Sequence, residues 1–149
     1  MKVSIGADHA AYDLKAVVID HLKSKGIEVI DRGTYSKDSC DYPDYGIAVA
    51  EDVASKKADK GIVICYTGIG ISIAANKVKG VRCALVGSVD AAVLTREHND
   101  SNCLAMGAKY TPNELAIEIV DTWLGTEYSN MEKHTRRINK ISAYESEAK

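Results

Sequence analysis

The chain has 149 residues, a formal net charge of −2, and a composition that is 46% hydrophobic and 27% charged. A domain of this size buries roughly 68–70% of its unfolded surface, so one globular domain over 1–149 is expected. The near-neutral charge excludes a general attraction for nucleic acid or for acidic membranes, so an anionic ligand has to be met by a local cluster of positive groups.

The opening MKVSIGADHA turns polar within seven residues, too early for the apolar region of a secretory signal. No stretch approaches the roughly 18 apolar residues of a membrane span. Cys40, Cys65, Cys83 and Cys103 are spaced by 25, 18 and 20 residues. No Cys-x-x-Cys pair exists, so neither a metal site nor a redox motif is predicted, and free thiols of a cytoplasmic protein are. The Asn99-Asp100-Ser101 sequon therefore carries no expectation of a glycan. Phe is absent, leaving aromatic packing to eight Tyr and Trp123.

In chain order, KVSIG (2–6) reads as a strand. A helix over 10–26 follows, with Leu14, Val17, Val18 and Leu22 at helical spacing and Gly26 as its stop. IEVID (27–31) is a second strand, and 32–43 is a loop rich in turn residues. A helix over 45–58 leads to GIVIC (61–65), the most apolar strand, and then to a helix over 69–79. A fourth strand covers 81–86, a helix 89–97, and a fifth strand 101–107. The helix over 111–128 is given Thr111 as N-cap and Pro112 at its first position. Residues 130–149 are read as a C-terminal helical extension, polar and basic at first, that packs on the domain or on a partner subunit.

Strand and helix alternate five times. The pattern predicts an α/β fold, a Rossmann-like five-stranded parallel sheet with helices on both faces and a C-terminal helix. In such sheets ligands bind beyond the carboxyl ends of the strands, where strand order reverses. Four loops meet that edge: 7–11, 32–43, 65–70 and 87–90.

The loop CYTGIG (65–70) carries the most chemistry. A thiolate, not a thiol, does the work of a reactive cysteine. Cys65 at the start of a helix is placed for a lowered pKa, since the helix dipole contributes roughly 0.3–1 kcal/mol and about 1.4 kcal/mol moves a pKa by one unit. The two readings are a general base and a small buried hydrophobe that ends a core strand. Gly68 and Gly70 allow close backbone approach and positive φ, and the free N–H groups of a helix start suit an anion. The third small position of a dinucleotide fingerprint is Ile73, and no Gly-Lys-Ser/Thr follows, so neither nucleotide motif is complete. Asp90 follows Gly70 by 20 residues and keeps a weak cofactor reading open. Thr67 offers a hydroxyl or a helix cap. Asp8 and His9 end the first strand, as site groups or as a cap and a surface histidine. His98 and Asn99 precede the fifth strand, on the edge away from that loop. Either the helix ends early and the loop folds over, or His98 serves a neighbouring subunit. KHTRRINK (133–140) is a solvated charged face or, through its arginines, a phosphate binder.

Together GADHAAYDLK, DYPDYG, GIVICYTGIGISIAANKVKGVRCALV, REHNDSNCLAMGAK and KHTRRINKI resemble the type B ribose-5-phosphate isomerases, with the related galactose-6-phosphate isomerase subunits in the same superfamily. The likeness runs through nearly the whole chain, in order. It implies a metal-free, cofactor-free aldose–ketose isomerase that interconverts ribose 5-phosphate and ribulose 5-phosphate through an enediolate, built as a dimer or dimer of dimers with sites at the subunit interface. By resemblance Cys65 matches the base, Thr67 the hydroxyl that assists proton transfer, and His98 with Asp8 the group that opens the sugar ring. Gly68 and Gly70 match the loop whose amides steady the enediolate. His9, Tyr42 and Asn99 match substrate contacts, and Arg137 a phosphate ligand.

Three positions depart from that pattern. Tyr66 stands where the family usually has Gly, and Lys109 and Lys133 where it usually has Arg. Tyr66 and Ile69, inside the loop, and both lysines are counted among the substrate-binding positions. Lys keeps the charge but loses the fork geometry. A hexose 6-phosphate, of allose or galactose, is therefore the nearest alternative substrate. A non-catalytic phosphosugar- or nucleotide-binding module is the alternative from another class.

Overall fold

The computed structural model describes residues 1–147; Ala148 and Lys149, the end of the expected extension, lie outside the described residues. Strands β1 (Lys2–Ala7), β2 (Glu28–Asp31), β3 (Lys60–Cys65), β4 (Cys83–Leu85) and β5 (Cys103–Gly107) form one parallel sheet in the order β2-β1-β3-β5-β4. The helices are α1 (Tyr12–Ser24), α2 (Tyr42–Ala54), α3 (Ile69–Asn76), α4 (Val89–Asn99), α5 (Asn113–Gly125) and α6 (Glu132–Glu147).

Successive strand residues face opposite sides of the sheet, and each side has its own core. Ile5, Ile62, Ile64, Leu104 and Met106 pack with Leu14, Val18 and Leu22 of α1 and Ile119 and Trp123 of α5. On the other side Val63, Cys65, Cys103 and Ala105 pack with Val49 and Ala50 of α2 and Ile71 and Ala75 of α3. Both faces are covered, which is why β3 and β5 read as continuous apolar runs rather than alternating ones. Trp123 is fully buried, and its indole N–H donates to Ser101 Oγ at 2.9 Å.

Several element ends differ from the expected ones. Residues His9–Ala11 form a separate 3-10 turn before α1. Helix α2 begins at Tyr42 rather than Tyr45, with Pro43 in its first turn, where the missing N–H costs nothing. Helix α3 stops at Asn76, whose side chain pairs with both backbone groups of Cys83 instead. Strands β4 and β5 start late because Asn102 turns its side chain to the Arg82 N–H and the Gly80 carbonyl. Pro112, not Thr111, caps α5, and the buried Thr111 hydroxyl has no partner.

One ion pair ties the sheet edge to α2. Arg32, just past β2, donates to both carboxylate oxygens of Asp52 at 2.7 and 2.6 Å, and Ser4 of β1 adds a third bond at 2.8 Å. Burial alone would raise the Asp52 pKa. The bonds from Arg32 and Ser4 and the charges of Arg32 and Lys57 outweigh it and hold the carboxyl below its ordinary 3.8. Asp52→Ala leaves a buried hydroxyl and a guanidinium without their acceptor, and urea denaturation at pH 7 is expected to show a loss of about 3 kcal/mol. A depressed carboxylate pKa stabilises the fold above the unfolded-state value. The gap between parent and variant is therefore full above 3.8 and closes as pH falls through the folded-state pKa.

Candidate active site

Strand order reverses between β1 and β3, since β1 leads to β2 on one side and β2 leads to β3 on the other. The loops that leave these two strands are the ones that hold Asp8-His9 and Cys65–Gly70. Asp8 N–H donates to the Ile64 carbonyl at 3.3 Å, which joins the two loop origins. Chain topology thus gathers the candidate groups at the crevice where parallel α/β sheets take ligands.

Cys65 is the last residue of β3. Its Sγ accepts the Gly68 N–H at 3.2 Å, and Gly68, with φ of +79°, is the N-cap of α3. The thiol faces a helix start, as expected, but it is only 4% exposed and belongs to the α2–α3 core layer. The expected base and the expected core residue are one side chain, at the floor of its loop. Thr67 Oγ1 accepts the Ile69 N–H at 3.3 Å and shapes the same turn. Gly70 is glycine for want of room: a Cβ there would lie 2.5 Å from Tyr42 Cζ, so the Tyr42 ring lies directly against the loop. On the opposite flank a Cβ on Gly107 would run into the Thr67 carbonyl oxygen.

Asp8 is buried and accepts the Ala10 N–H at 3.1 Å, so it caps the turn His9–Ala11. His9 Nδ1 accepts the Cys40 N–H at 3.2 Å. A ring nitrogen that accepts is unprotonated, so the other nitrogen, Nε2, is left to carry the proton of the neutral ring. Lys109 joins this edge because its N–H donates to the Tyr66 carbonyl at 2.8 Å. The sequence reading missed Cys40, whose Sγ lies 3.8 Å from His9 Nδ1; nothing in the spacing of the two residues signals that contact.

His98 and Asn99 lie elsewhere. Helix α4 does not end early but runs to Asn99, with Asp100 in the left-handed region as its C-cap. Arg82, ahead of β4, donates to the Asn99 carbonyl at 3.0 Å, which sets this pair at the amino end of the sheet. Strand β5 runs from Cys103, beside Gly61 and Cys83, to Gly107, beside Cys65. At about 3.3 Å per residue the two ends stand some 13 Å apart before any loop is added.

A second cluster forms there. The rings of His98 and His134 stack with centroids 4.3 Å apart and 19° between planes. With Arg82, Asn99, Arg137 and Ile138 they line a cavity of about 190 Å³. Lys133 is exposed on α6 beside it. Arg82 is not singled out by the sequence, and His134 is read there only as a member of the basic run 133–140, although positions 134, 137, 138 and 141 share one helical face. Burial lowers the His134 pKa below its ordinary 6.5, and charge interactions with His98, Lys133 and Arg137 lower it further. Among the described residues no three His, Cys, Asp or Glu side chains gather as a metal site requires, all four cysteines are free, and no helix is long and apolar enough to cross a membrane.

A parallel α/β sheet with a cysteine, a glycine loop and a histidine at its switch point is the architecture of a protein that takes a small ligand at the strand ends. Residues 3–141 match the family model described as Ribose/Galactose Isomerase. The chain is 46% identical to ribose-5-phosphate isomerase B of Escherichia coli over 144 residues, covering 97% of this chain and 96% of that one. It superposes on ribose-5-phosphate isomerase B of Clostridium thermocellum with a TM-score of 0.98 at 50% identity, over the whole of both chains. The Mycoplasma genitalium ribose-5-phosphate isomerase B, solved with bound ribulose-5-phosphate, gives 0.94 at 40% identity over 98% of this chain and 97% of that one. The chain belongs to this family of type B ribose-5-phosphate isomerases and is a sugar-phosphate isomerase, which sets aside the non-catalytic module.

Protonating His134 places a charge beside three cationic or protonatable side chains. Its ring resonances are expected to titrate below 6.5. Because the folded-state pKa is depressed, the stability it confers is complete above the unfolded-state value and is lost as pH falls through the folded-state value. His134→Asn should flatten the stability–pH curve below 6.5, read by thermal melts across that range.

Proposed function

We propose that the chain interconverts ribose 5-phosphate and ribulose 5-phosphate in a site shared between two copies of itself. The observation that carries this reading is the Cys65 sulfur under the Gly68 N–H at the β1–β3 switch, with Thr67 on the same loop and Asp8 on the adjoining one. Removing a proton beside a carbonyl requires a base held against the carbon and donors aimed at the oxyanion that develops. Cys65 takes the proton from C2 of the open aldose, and the electron pair moves to form the enediolate. The amides of 66–70 other than those of Gly68 and Ile69, which are given to Cys65 and Thr67, meet its negative oxygen, Thr67 passes the hydroxyl proton between O2 and O1, and Cys65 returns its proton to C1. His9, Tyr42 and Ile69 flank the sugar.

The ring-opening group and part of the phosphate anchor come from the partner copy. His98, Asn99, Lys133 and Arg137 sit at the far end of the sheet from their own Cys65, so one copy cannot assemble all of them. A two-fold dimer supplies each loop with the other copy's cluster, since such an interface pairs the same two patches twice. The apolar side chains beside the loop favour that contact: Tyr42 is 39%, Ile47 38%, Ile69 51% and Ile73 56% exposed. The exposed Tyr66 at the mouth of the loop favours a second substrate reading, a hexose 6-phosphate on the same machinery. Comparing kcat/KM for ribose 5-phosphate with that for allose and galactose 6-phosphates decides between them.

Cys65→Ser and His98→Ala are each expected to lower kcat on ribose 5-phosphate by about 10²–10⁴-fold. Mixing the two inactive proteins, after mild denaturation and refolding, should restore about a quarter of the parental activity, since half the dimers are mixed and each holds one intact site. No recovery in proven heterodimers would confine both residues to one chain.

A further inference from the structure

Two of the positions that depart from the family pattern, Tyr66 and Lys109, touch each other. The Lys109 N–H to Tyr66 carbonyl bond of 2.8 Å carries the β3–β5 pairing past the strand ends, so both side chains leave from one joint. Lys109 Nζ lies 3.4 Å from the Tyr66 hydroxyl and 5.4 Å from the centroid of its ring. The Tyr110 ring flanks it at 6.0 Å. Among the described residues no carboxylate lies within ion-pair distance of this ammonium. Tyr66 and Tyr110 are 53% and 60% exposed, so the cation stands at the mouth of the loop that starts with Cys65.

A lysine is a point charge on a flexible stem, whereas an arginine fork is pre-organised for an oxyanion. A bound anion must therefore freeze the lysine stem unless something else has done so already. We propose that Tyr66 is a positioning residue for substrate binding: its hydroxyl and ring face hold the Lys109 ammonium ready for the phosphate monoester of the substrate. The tyrosine and the lysine together do what the usual arginine does alone. This rests on the isomerase reading above and adds to it that Lys109, one of the substrate-binding positions expected from the sequence, meets the phosphate.

The test is steady-state kinetics on the full-length protein with ribose 5-phosphate, together with competitive inhibition by inorganic phosphate. Tyr66→Phe keeps the ring and loses the acceptor, and KM and the phosphate Ki are expected to rise about threefold with kcat changed less than about twofold. Tyr66→Gly should raise both by about tenfold. Adding Lys109→Arg to Tyr66→Gly should bring both back to within about threefold of the parent, a coupling that a merely structural tyrosine does not produce. Equal losses from Tyr66→Gly with and without Lys109→Arg, or a fall in kcat with KM and Ki unmoved, overturn the proposal. A parent that forms no ribulose 5-phosphate refutes the isomerase reading instead. The parent, Tyr66→Gly, Lys109→Arg and the double variant, titrated with inorganic phosphate by calorimetry, then still report the coupling or its absence. Tyr66→Phe serves where the glycine variant does not fold.

Discussion

The site depends on how closely the Thr67 backbone approaches Gly107. A single methylene at position 107 would overlap the Thr67 carbonyl, and one at Gly68 would come within 2.8 Å of the Gly107 nitrogen. The loop after β3 is therefore pressed flat against the end of β5. Hydrogen bonds from Ala108 to the Cys65 carbonyl and from Lys109 to the Tyr66 carbonyl, at 2.9 and 2.8 Å, fix it there. With its flank pinned, the turn closes through a left-handed Gly68 whose N–H points at the sulfur. Two glycines far apart in the chain thus act on one bond, the N–H donated to Cys65.

The same architecture that gathers some groups separates others. In a parallel sheet every strand delivers its following loop to one edge, and every returning helix ends at the other. Asp8, His9, Thr67 and Lys109 follow strands and share an edge. His98 is in the last turn of α4, and α6 lies against that helix through His134. No local adjustment moves a helix C-terminus to the opposite edge without unwinding it. Using both clusters in one reaction requires a second chain, and this follows from connectivity before any interface is drawn.

The parts of the fold that sequence makes legible are those set by local rules. The run from Gly61 to Cys65 and the glycines after it fix a strand, a turn and a helix start within ten residues. The alternation of five strands with helices fixes the parallel sheet. What stays hidden depends on distant partners. Asn76 leaves its helix for Cys83, and Asn102 shortens two strands by serving Arg82 and Gly80; an isolated asparagine carries no mark of such a choice. The order of β4 and β5 is a packing outcome of the same kind. His98 was placed on the correct edge from topology, but the length of α4 was not, because Asp100 ends the helix in a left-handed conformation that more often marks glycine. The stacking of His98 on His134 and the meeting of Tyr66 with Lys109 join segments 36 and 43 residues apart, beyond the reach of any periodicity.

Burial of the sulfur bears on how such a site works. An open thiol at the surface meets oxidants and water, whereas Cys65 at 4% exposure meets only what the loop admits. In the proposed reaction that shelter serves the enediolate, since water at the same carbon would quench it and weaken every hydrogen bond that holds it. The cost is access. In that proposed reaction a sugar approaches over Thr67 and the half-exposed Tyr66, so the loop residues that shield the sulfur are also the ones that select what reaches it. The exposed apolar side chains at Ile69 and Ile73 then have a use beyond adhesion. In the proposed dimer a second copy seated on them roofs the loop and excludes water, and in the same contact brings the cluster of His98 and Arg137 to Cys65.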